Sequence, residues 1–150
     1  MYMLEKKLKV FSAAHRLLKG YQGKCQHLHG HNYQVRVTLQ AKVLDHYDLI
    51  IDFNEVKRLF DQWIQEHFDH ATLVAEFDTE LLGFLRLHQQ RHYVIPDNKN
   101  TSVEVLASHL FAVFTQILSS HEGFVHRGLR LIEVKVNETA SSVGIYRQQY

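Results

Sequence analysis

The chain has 150 residues, with 17 lysine and arginine residues against 16 aspartate and glutamate residues, and it contains 12 histidines. This length fits one domain that folds without a disulfide scaffold, and the single cysteine excludes an internal disulfide and favours a reducing compartment. The balanced charge and the scattered basic residues argue against nucleic acid or a membrane surface as a partner.

The N-terminal segment "MYMLEKKLKVF" carries charges before any apolar run reaches signal-peptide length, and no later segment resembles a membrane span. We therefore expect a soluble cytoplasmic protein. The stretch 4–15 alternates apolar and polar residues up to Phe11, and the stretch 31–43 alternates more clearly from Tyr33 to Leu39. We predict that these two strands pair as antiparallel neighbours.

Two amphipathic helices are predicted next. Asp52 and Glu55 have the spacing of a capping box at the start of the first helix, and Thr101 and Glu104 have it at the start of the second. The apolar stripes follow at three-four spacing and comprise Val56, Leu59, Phe60, Trp63 and Ile64, then Val103, Leu106, Ala107, Leu110, Phe111, Phe114, Ile117 and Leu118. Residues 72–100, between the helices, mix a helical pattern with a turn-rich exit.

The segment "LRLIEVKVNETASSVGIYR" predicts two further strands around a turn near residues 138–142. Four strands beside two helices indicate an α+β domain, with a four-stranded antiparallel sheet and the two main helices on one face. We expect a single domain over residues 1–150. The open edges of such a sheet would be a liability for a monomer, which favours self-association.

The segment "CQHLHGHNY" places Cys25, His27, His29 and His31 at every second position. On a strand, His29 and His31 point to the same face about 6 to 7 Å apart, so both imidazoles can converge on one ion. His15, at the end of the preceding strand, is a candidate third ligand because antiparallel pairing can bring it alongside. Three neutral imidazoles suit Zn²⁺ and leave one position for water or substrate, as in catalytic sites.

Two other interpretations of this segment stay open at the level of the residues alone. A bare H-x-H pattern in a histidine-rich chain is also what a pair of surface histidines would give. If Cys25 bound the metal as well, the site would close as a four-ligand structural zinc centre, and the chemistry would have to occur elsewhere.

Five motifs occur in order over nearly the whole chain: "FSAAH" with "C-x3-H-G-H-N-Y", then "IIDFNEVK", "FDH", "NTSVEVLA" and "VNETASSVGIYR". In this order they resemble the 6-pyruvoyl-tetrahydropterin synthase superfamily. The three residues between Cys25 and His29 match its bacterial branch, the 6-carboxy-tetrahydropterin synthases of the queuosine and 7-deazaguanine pathway. The animal biopterin branch has a longer gap, and an aldolase-like branch carries glutamate near the cysteine position.

The resemblance implies that His15, His29 and His31 are the zinc ligands and that Cys25 is a thiolate base off the metal. His27 matches no ligand position and is interpreted as a residue behind a ligand or at the surface.

The resemblance also implies that Asp69 fixes the tautomer of His70, which exchanges protons during the reaction. Glu138 would bind the amino-pyrimidine edge of a pterin by two hydrogen bonds, and Glu104 matches a further substrate-binding glutamate. Each assignment has a purely structural alternative. His70 could be a helix-end histidine with an acidic neighbour, and Glu138 could be a turn glutamate at the end of a strand. For Glu104 the structural alternative, the second residue of a capping box, is favoured.

The implied reaction converts 7,8-dihydroneopterin triphosphate to 6-carboxy-5,6,7,8-tetrahydropterin, with loss of triphosphate and acetaldehyde and with no nicotinamide or flavin. Some of four basic residues would meet the triphosphate: Arg16, Lys19, Lys24 and Arg127. The implied fold is the tunnelling fold, in which subunit sheets join into a barrel and two trimers stack as a hexamer with sites between subunits. The alternatives are 6-pyruvoyl-tetrahydropterin synthase activity and a non-enzymatic zinc-binding oligomer.

This chain departs from the family pattern after "FDH", where residues 76–95 form an insertion, and at Thr101, where the family has proline. The insertion is interpreted as a lid, an extra surface helix or a change in pterin specificity. Arg91 and Tyr93 lie within it and are more typical of surface residues than of ligand contacts.

Overall fold

A seven-stranded mixed sheet forms the centre of the computed structural model, which describes residues 1–149. The strands are β1 (Tyr2–Lys7), β2 (Phe11–His15), β3 (His29–Ala41), β4 (Ala71–Ala75), β5 (His92–Ile95), β6 (Arg130–Thr139) and β7 (Ser142–Arg147). Their order is β5-β4-β2-β3-β6-β7, and β1 also pairs with β3. The β2-β4 and β4-β5 pairs are parallel, and the other pairs are antiparallel.

The long strand β3 organises the sheet because its inward-facing side chains alternate with outward-facing ones. Tyr33, Val35, Val37 and Leu39 are fully buried, as the period of two predicts. β2 pairs with the first part of β3 and β1 with its last part, and the Leu8 N–H donates to the Val35 carbonyl at 2.8 Å between them. The predicted antiparallel pairing is confirmed, with the first predicted strand divided into β1 and β2.

The helices are α1 (Phe53–Val56), α2 (Gln62–His67), α3 (Thr79–Leu87), α4 (Val103–Ser119) and α5 (Glu122–His126), with a π-helical turn at Lys57–Asp61 between α1 and α2. Most of the helices pack into the main core on one face of the sheet, and α3 packs on the opposite face of β4. The rings of Phe60 and Phe114 stack at 4.3 Å, so both predicted helical stripes enter the same core. Within the described part of the chain, no helix combines the length and apolarity that crossing a bilayer requires.

The N-terminal cap agrees with the prediction for the first predicted helix and disagrees with it for the second. Asp52 caps α1 by accepting a hydrogen bond from the N–H two residues ahead at 2.7 Å. The cap of α4 is Ser102, so the predicted capping box of Thr101 and Glu104 is wrong. Thr101 is fully buried instead and hydrogen-bonds the ring of His15.

The prediction of a four-stranded, wholly antiparallel sheet is wrong, because β4 and β5 extend the sheet in parallel. Short buried strands of a parallel pair lack the alternation that reveals an antiparallel strand. Residues 76–95, which the family resemblance marks as an insertion, hold both α3 and β5, so β4, α3 and β5 form a strand-helix-strand unit. Its helix packs on β4 in a small second core of Val74, Leu81, Leu82 and Leu85.

Candidate metal centre and active site

Three histidines meet at the end of the β2-β3 ladder. His15 is the last residue of β2 and lies directly opposite His29, the first residue of β3, and His31 is two residues further along the same strand. Directly opposed residues and residues two apart share a face of the sheet. Strand register alone therefore brings the three imidazoles together, as the sequence predicts.

The three imidazoles form a cluster of metal-ligand geometry. Their candidate ligand nitrogens all lie within 4.8 Å of one another. The Nε2 atoms of His15, His29 and His31 are buried and have no hydrogen-bond partner in the described chain. An unpaired buried nitrogen is costly, and three that converge are the arrangement a metal ion would satisfy.

Backbone carbonyls orient two of the rings. The His15 Nδ1–H donates to the Thr101 carbonyl at 2.8 Å, and the His29 Nδ1–H donates to the His27 carbonyl at 2.6 Å. A proton held on Nδ1 leaves the Nε2 lone pair free for a metal. Burial, aided by the neighbouring histidines, lowers the pKa of His15 to about 4, so this imidazole is neutral near pH 7. The donor set therefore fits Zn²⁺, which takes neutral imidazole nitrogens.

Glu138 borders the cluster. One of its carboxylate oxygens lies 3.6 Å from His31 Nε2 and 4.0 Å from His15 Nε2, distances too long for hydrogen bonds. The pairing of β6 with β7 is irregular between Asn137 and Thr139, and such bulges redirect a side chain. The side chain of Glu138 is 26% exposed, so its carboxylate is accessible to a ligand.

Cys25 is half-buried in a 3₁₀ turn at Lys24–Gln26, and its carbonyl accepts a hydrogen bond from the Leu17 N–H at 2.8 Å. It is not among the residues whose ligand atoms cluster with those of the histidines in residues 1–149.

Tyr33, which the sequence analysis named only for the alternation of its strand, packs against the histidine cluster. Its ring packs edge-on against His31 at 5.6 Å, and its buried hydroxyl has no hydrogen-bond partner among the residues the structure describes. Burial is the main cause that raises the pKa of this phenol, and the charges of Glu138 and Cys25 raise it further. Both residues therefore lie within electrostatic range of the phenol beside the metal cluster.

Asp69 and His70 form a hydrogen-bonded pair, with Oδ2 and Nδ1 2.9 Å apart. Burial would raise the pKa of Asp69, but the hydrogen bond from the Ser12 N–H and the pairing with His70 outweigh it, so the pKa is lowered. The His70 side chain is 79% exposed, and its backbone is left-handed with φ 58°.

The pair and the histidine cluster lie on opposite faces of the sheet. His70 lines an open cleft of about 400 Å³ together with Ser12, Asn32 and Thr72, and His31 of the cluster also lines this cleft. Ser12 and Asn32 alternate in their strands with the residues that face the histidine cluster, so they point the other way. Within residues 1–149, no hydrogen bond or ion pair joins Asp69 or His70 to the three imidazoles.

Glu104 is also apart from the cluster. It is exposed in the first turn of α4 and lines a separate pocket of about 340 Å³ with Lys99, His109 and Tyr146. Thr101 is the residue of this motif that reaches the cluster, through its bond to His15. In the sequence analysis Thr101 was assigned to a helix cap and not to the cluster, because a contact made by a backbone carbonyl leaves no signal in the sequence.

The four basic candidates for a triphosphate site differ in their contacts. Arg16 forms a two-point ion pair with Asp78 at 2.7 and 2.8 Å, and Lys19 bonds the Asn98 carbonyl. Arg127 donates to carbonyls of the loop after β3. Lys24 is exposed beside Cys25, and no partner is found for it within residues 1–149.

Comparison with known proteins agrees with this geometry. The family model described as 6-pyruvoyl tetrahydropterin synthase matches residues 4–149. A protein of Rickettsia bellii named 6-carboxy-5,6,7,8-tetrahydropterin synthase is 35% identical over 117 residues, covering 77% of this chain and 83% of the relative. A protein of Rickettsia conorii with the same name is 33% identical over 126 residues, covering 82% of this chain and 88% of the relative.

The fold is also that of solved structures of this family. A catalytic-residue mutant of Plasmodium vivax 6-pyruvoyltetrahydropterin synthase superposes with a TM-score of 0.72 at 18% identity, covering 100% of both chains. At that identity the likeness concerns the fold, which is the tunnelling fold. The sequence match over nearly the whole chain is the stronger finding, and the chain belongs to the 6-pyruvoyl tetrahydropterin synthase family.

Proposed function

We propose that the protein is a zinc-dependent 6-carboxy-5,6,7,8-tetrahydropterin synthase. It would convert 7,8-dihydroneopterin triphosphate and water to 6-carboxy-5,6,7,8-tetrahydropterin, triphosphate and acetaldehyde. The observation that carries the proposal is the convergence of three buried, unpaired imidazole nitrogens beside the carboxylate of Glu138. The names of the two Rickettsia relatives support this product.

His15, His29 and His31 would hold the zinc ion, since each offers a buried Nε2 with no other partner in the described residues. When bound, zinc would polarise the oxygens of the pterin side chain and lower the cost of deprotonating it. Three protein ligands leave a position for the substrate. The fixed Nδ1 protons of His15 and His29 keep the ligand nitrogens aimed at one point without movement of the rings.

Cys25 would act as a thiolate base, because its turn at Lys24–Gln26 comes just before His29 in the chain and its sulfur is not among the clustered ligand atoms. Glu138 would anchor the pterin. Its carboxylate is partly exposed and makes no hydrogen bond to the imidazoles, so both oxygens can accept from the amino-pyrimidine edge. Glu104 is kept as a candidate substrate residue only for a site shared between chains, because it lies apart from the cluster in one chain.

Asp69 and His70 would serve the metal site of a neighbouring subunit. In one chain the sheet separates this pair from the histidines, so a single chain lacks the second proton carrier. Within residues 1–149, β5 and β7 are the edge strands of the sheet, and each has one side that pairs with no other strand. Unpaired strand edges favour association with another chain. We infer a homo-oligomer with shared sites, of which the hexamer built from two trimers is the form that the family resemblance implies.

The proposed product would enter queuosine and 7-deazaguanine biosynthesis in the cytoplasm. A second candidate is 6-pyruvoyl-tetrahydropterin synthase activity, in which triphosphate leaves but the side chain keeps its carbons. The description of the matching family model favours this candidate. A non-enzymatic zinc-binding oligomer is less well supported, because the Asp69-His70 pair is intact.

The test is to incubate zinc-loaded protein with 7,8-dihydroneopterin triphosphate and to follow the products by mass spectrometry with an acetaldehyde assay. Carboxy-tetrahydropterin with acetaldehyde in equal amounts supports the proposal. Pyruvoyl-tetrahydropterin without acetaldehyde supports the second candidate. The matched variant Cys25→Ala should keep one zinc per chain and lose turnover, whereas loss of zinc would make Cys25 a ligand and contradict its role as base.

A further inference from the structure

The guanidinium group of Arg91, a residue of the predicted insertion, caps the C-terminal end of α2. Its Nε–H donates to the carbonyl oxygen of Asp69 at 2.9 Å, and its Nη2 donates to the carbonyls of Gln65 and Glu66 at 2.7 Å each. The last carbonyls of a helix have no partner within it, and a cation there also opposes the negative end of the helix dipole. Arg91 therefore caps the C-terminal end of the segment that leads into Asp69 and His70.

The backbone of Arg91 is fixed to the same segment. The Thr72 N–H donates to the Arg91 carbonyl at 3.0 Å, which opens the parallel ladder between β4 and β5. Thr72 is only two residues after His70. The guanidinium group and the carbonyl of Arg91 thus hold the chain on both sides of His70.

His70 needs this support because its backbone is left-handed, with φ 58°. For a residue other than glycine, that conformation costs about 1 to 2 kcal/mol and persists only where the surroundings enforce it. The peptide group between Asp69 and His70 is held at both of its polar ends. Its oxygen accepts from Arg91 at 2.9 Å, and its N–H donates to the Ser12 carbonyl at 2.7 Å.

The plane of this peptide sets the direction of both side chains. The Asp69 carboxylate bonds the Ser12 N–H at 3.0 Å and the His70 ring at 2.9 Å, so rotation of the peptide would disturb both contacts. Ser12 holds one end from β2. Arg91 is the side chain that holds the other end, and it comes from the segment in which this chain departs from its family.

We propose that Arg91 is a positioning residue for the Asp69-His70 pair, and that the insertion supports the active site instead of closing over it. The proposal rests on the proposed function, in which His70 exchanges protons with a substrate bound at a neighbouring subunit. Arg91 itself does not touch the reacting atoms. It acts by fixing the peptide that aims the imidazole.

The first test compares Arg91→Ala with the matched control Arg86→Ala in steady-state kinetics. Arg86 is an exposed arginine of α3 in the same insertion, with no partner found in residues 1–149. Misplacement by about 1 Å can cost about 100-fold in rate. We expect kcat of Arg91→Ala to fall by about 10- to 100-fold, with KM and zinc content within twofold of wild type, and Arg86→Ala to behave as wild type.

Rescue by a conservative variant separates positioning from general stability. Lysine can donate to one of the three carbonyls but lacks the planar group that reaches all of them. Arg91→Lys should therefore recover part of kcat, and it also keeps the test available if Arg91→Ala fails to fold. Unchanged kcat in Arg91→Ala, or a loss confined to zinc content and melting temperature, would overturn the proposal.

A second readout does not depend on turnover. Amide hydrogen exchange at His70 reports the bond from its N–H to Ser12, which the clamp protects. We expect exchange at His70 to accelerate at least about tenfold in Arg91→Ala, with exchange at core Val35 unchanged. If wild type turns over no pterin, the proposed function fails while this measurement still decides the role of Arg91. Unchanged exchange at His70 would refute that role.

Discussion

The Nδ1–H of His15 donates to the carbonyl oxygen of Thr101 at 2.8 Å, with the Thr101 hydroxyl at 3.1 Å. A carbonyl can only accept, so this bond fixes the proton on Nδ1 and leaves Nε2 as the free lone pair. The carbonyl of His27 does the same for His29 at 2.6 Å. The histidine cluster is thus oriented by main-chain carbonyls, so the side chain of a residue that contributes only its carbonyl can be replaced.

The first prediction contrasts a ligand with such a neighbour. We expect His29→Ala to lose zinc on dialysis, since it removes a ligand, and His27→Ala to keep about one zinc per chain, since its carbonyl remains. The loss for His29→Ala should exceed the roughly 10- to 100-fold that removal of a ligand's supporting contact costs. Zinc content by mass spectrometry checks both variants. Zinc lost from His27→Ala, or kept by His29→Ala, would place the metal elsewhere.

The histidine cluster was predictable because strand alternation and antiparallel pairing are local rules that the residues 11–15 and 29–33 obey. The contact with Thr101 was not predictable. It joins residues 86 positions apart through a carbonyl, and every residue type has one. β5 was missed for a related reason: a parallel partner brought back by a helix leaves no turn signal between the strands. Arg91 was assigned to the surface because its three acceptors are backbone oxygens.

The second prediction concerns the ion pair between Arg16, which directly follows β2, and Asp78, the N-cap residue of α3. The Asp78 side chain is 4% exposed and pairs with Arg16 at two points. Removing one partner of such a pair leaves the other charge unpaired, so Asp78→Asn should cost about 2 kcal/mol of unfolding free energy. The exposed pair of Glu55 and Arg58 is the control, because Glu55→Gln should cost less than about 1 kcal/mol. Urea unfolding measures both, and equal losses would contradict the prediction.

The same pair predicts a dependence on pH. The hydrogen bond from Arg16 is the main cause that lowers the pKa of Asp78 below its ordinary 3.8. A carboxyl group with a lowered folded-state pKa contributes stability that is present above the ordinary pKa and is lost as pH falls through the lower one. The stability difference between wild type and Asp78→Asn should therefore be constant from pH 5 to 7 and shrink below about pH 4. A difference that grows on acidification would reverse the sign and refute the assignment.

The third prediction concerns the contact of β7 with the start of α4. A Cβ atom at Gly144 would lie 2.6 Å from the Val103 carbonyl carbon and 2.8 Å from the Glu104 nitrogen, which are backbone atoms. Because neither atom can move without shifting the helix, Gly144→Ala should destabilise by about 1 to 3 kcal/mol. Gly83 lies in α3 with open space around it, so Gly83→Ala should stabilise by up to about 1 kcal/mol. Unfolding curves of the two variants that shift in the same direction would contradict this contrast.

The last prediction tests whether the active site is shared between chains. Cys25 lies in the turn that precedes β3, and the side chain of His70 is on the face of the sheet away from the histidine cluster, so each proposed site would take them from different subunits. Cys25→Ala and His70→Ala should each be inactive as pure oligomers. Co-expressed with two different tags and purified through both, the mixed oligomers should regain part of wild-type turnover, because some sites combine an intact Cys25 with an intact His70.

A control with both substitutions in one chain, mixed with inactive Cys25→Ala, should regain nothing, because no site then has an intact Cys25. Mixed Cys25→Ala and His70→Ala oligomers that stay inactive, with zinc and assembly unchanged, would mean that both residues must come from one chain. That result would require His70 to act on the histidine cluster of its own chain, although Ser12 and Asn32 beside His70 point away from that cluster. Recovery of turnover would instead explain why the histidine cluster and the Asp69-His70 pair lie on opposite faces of one sheet.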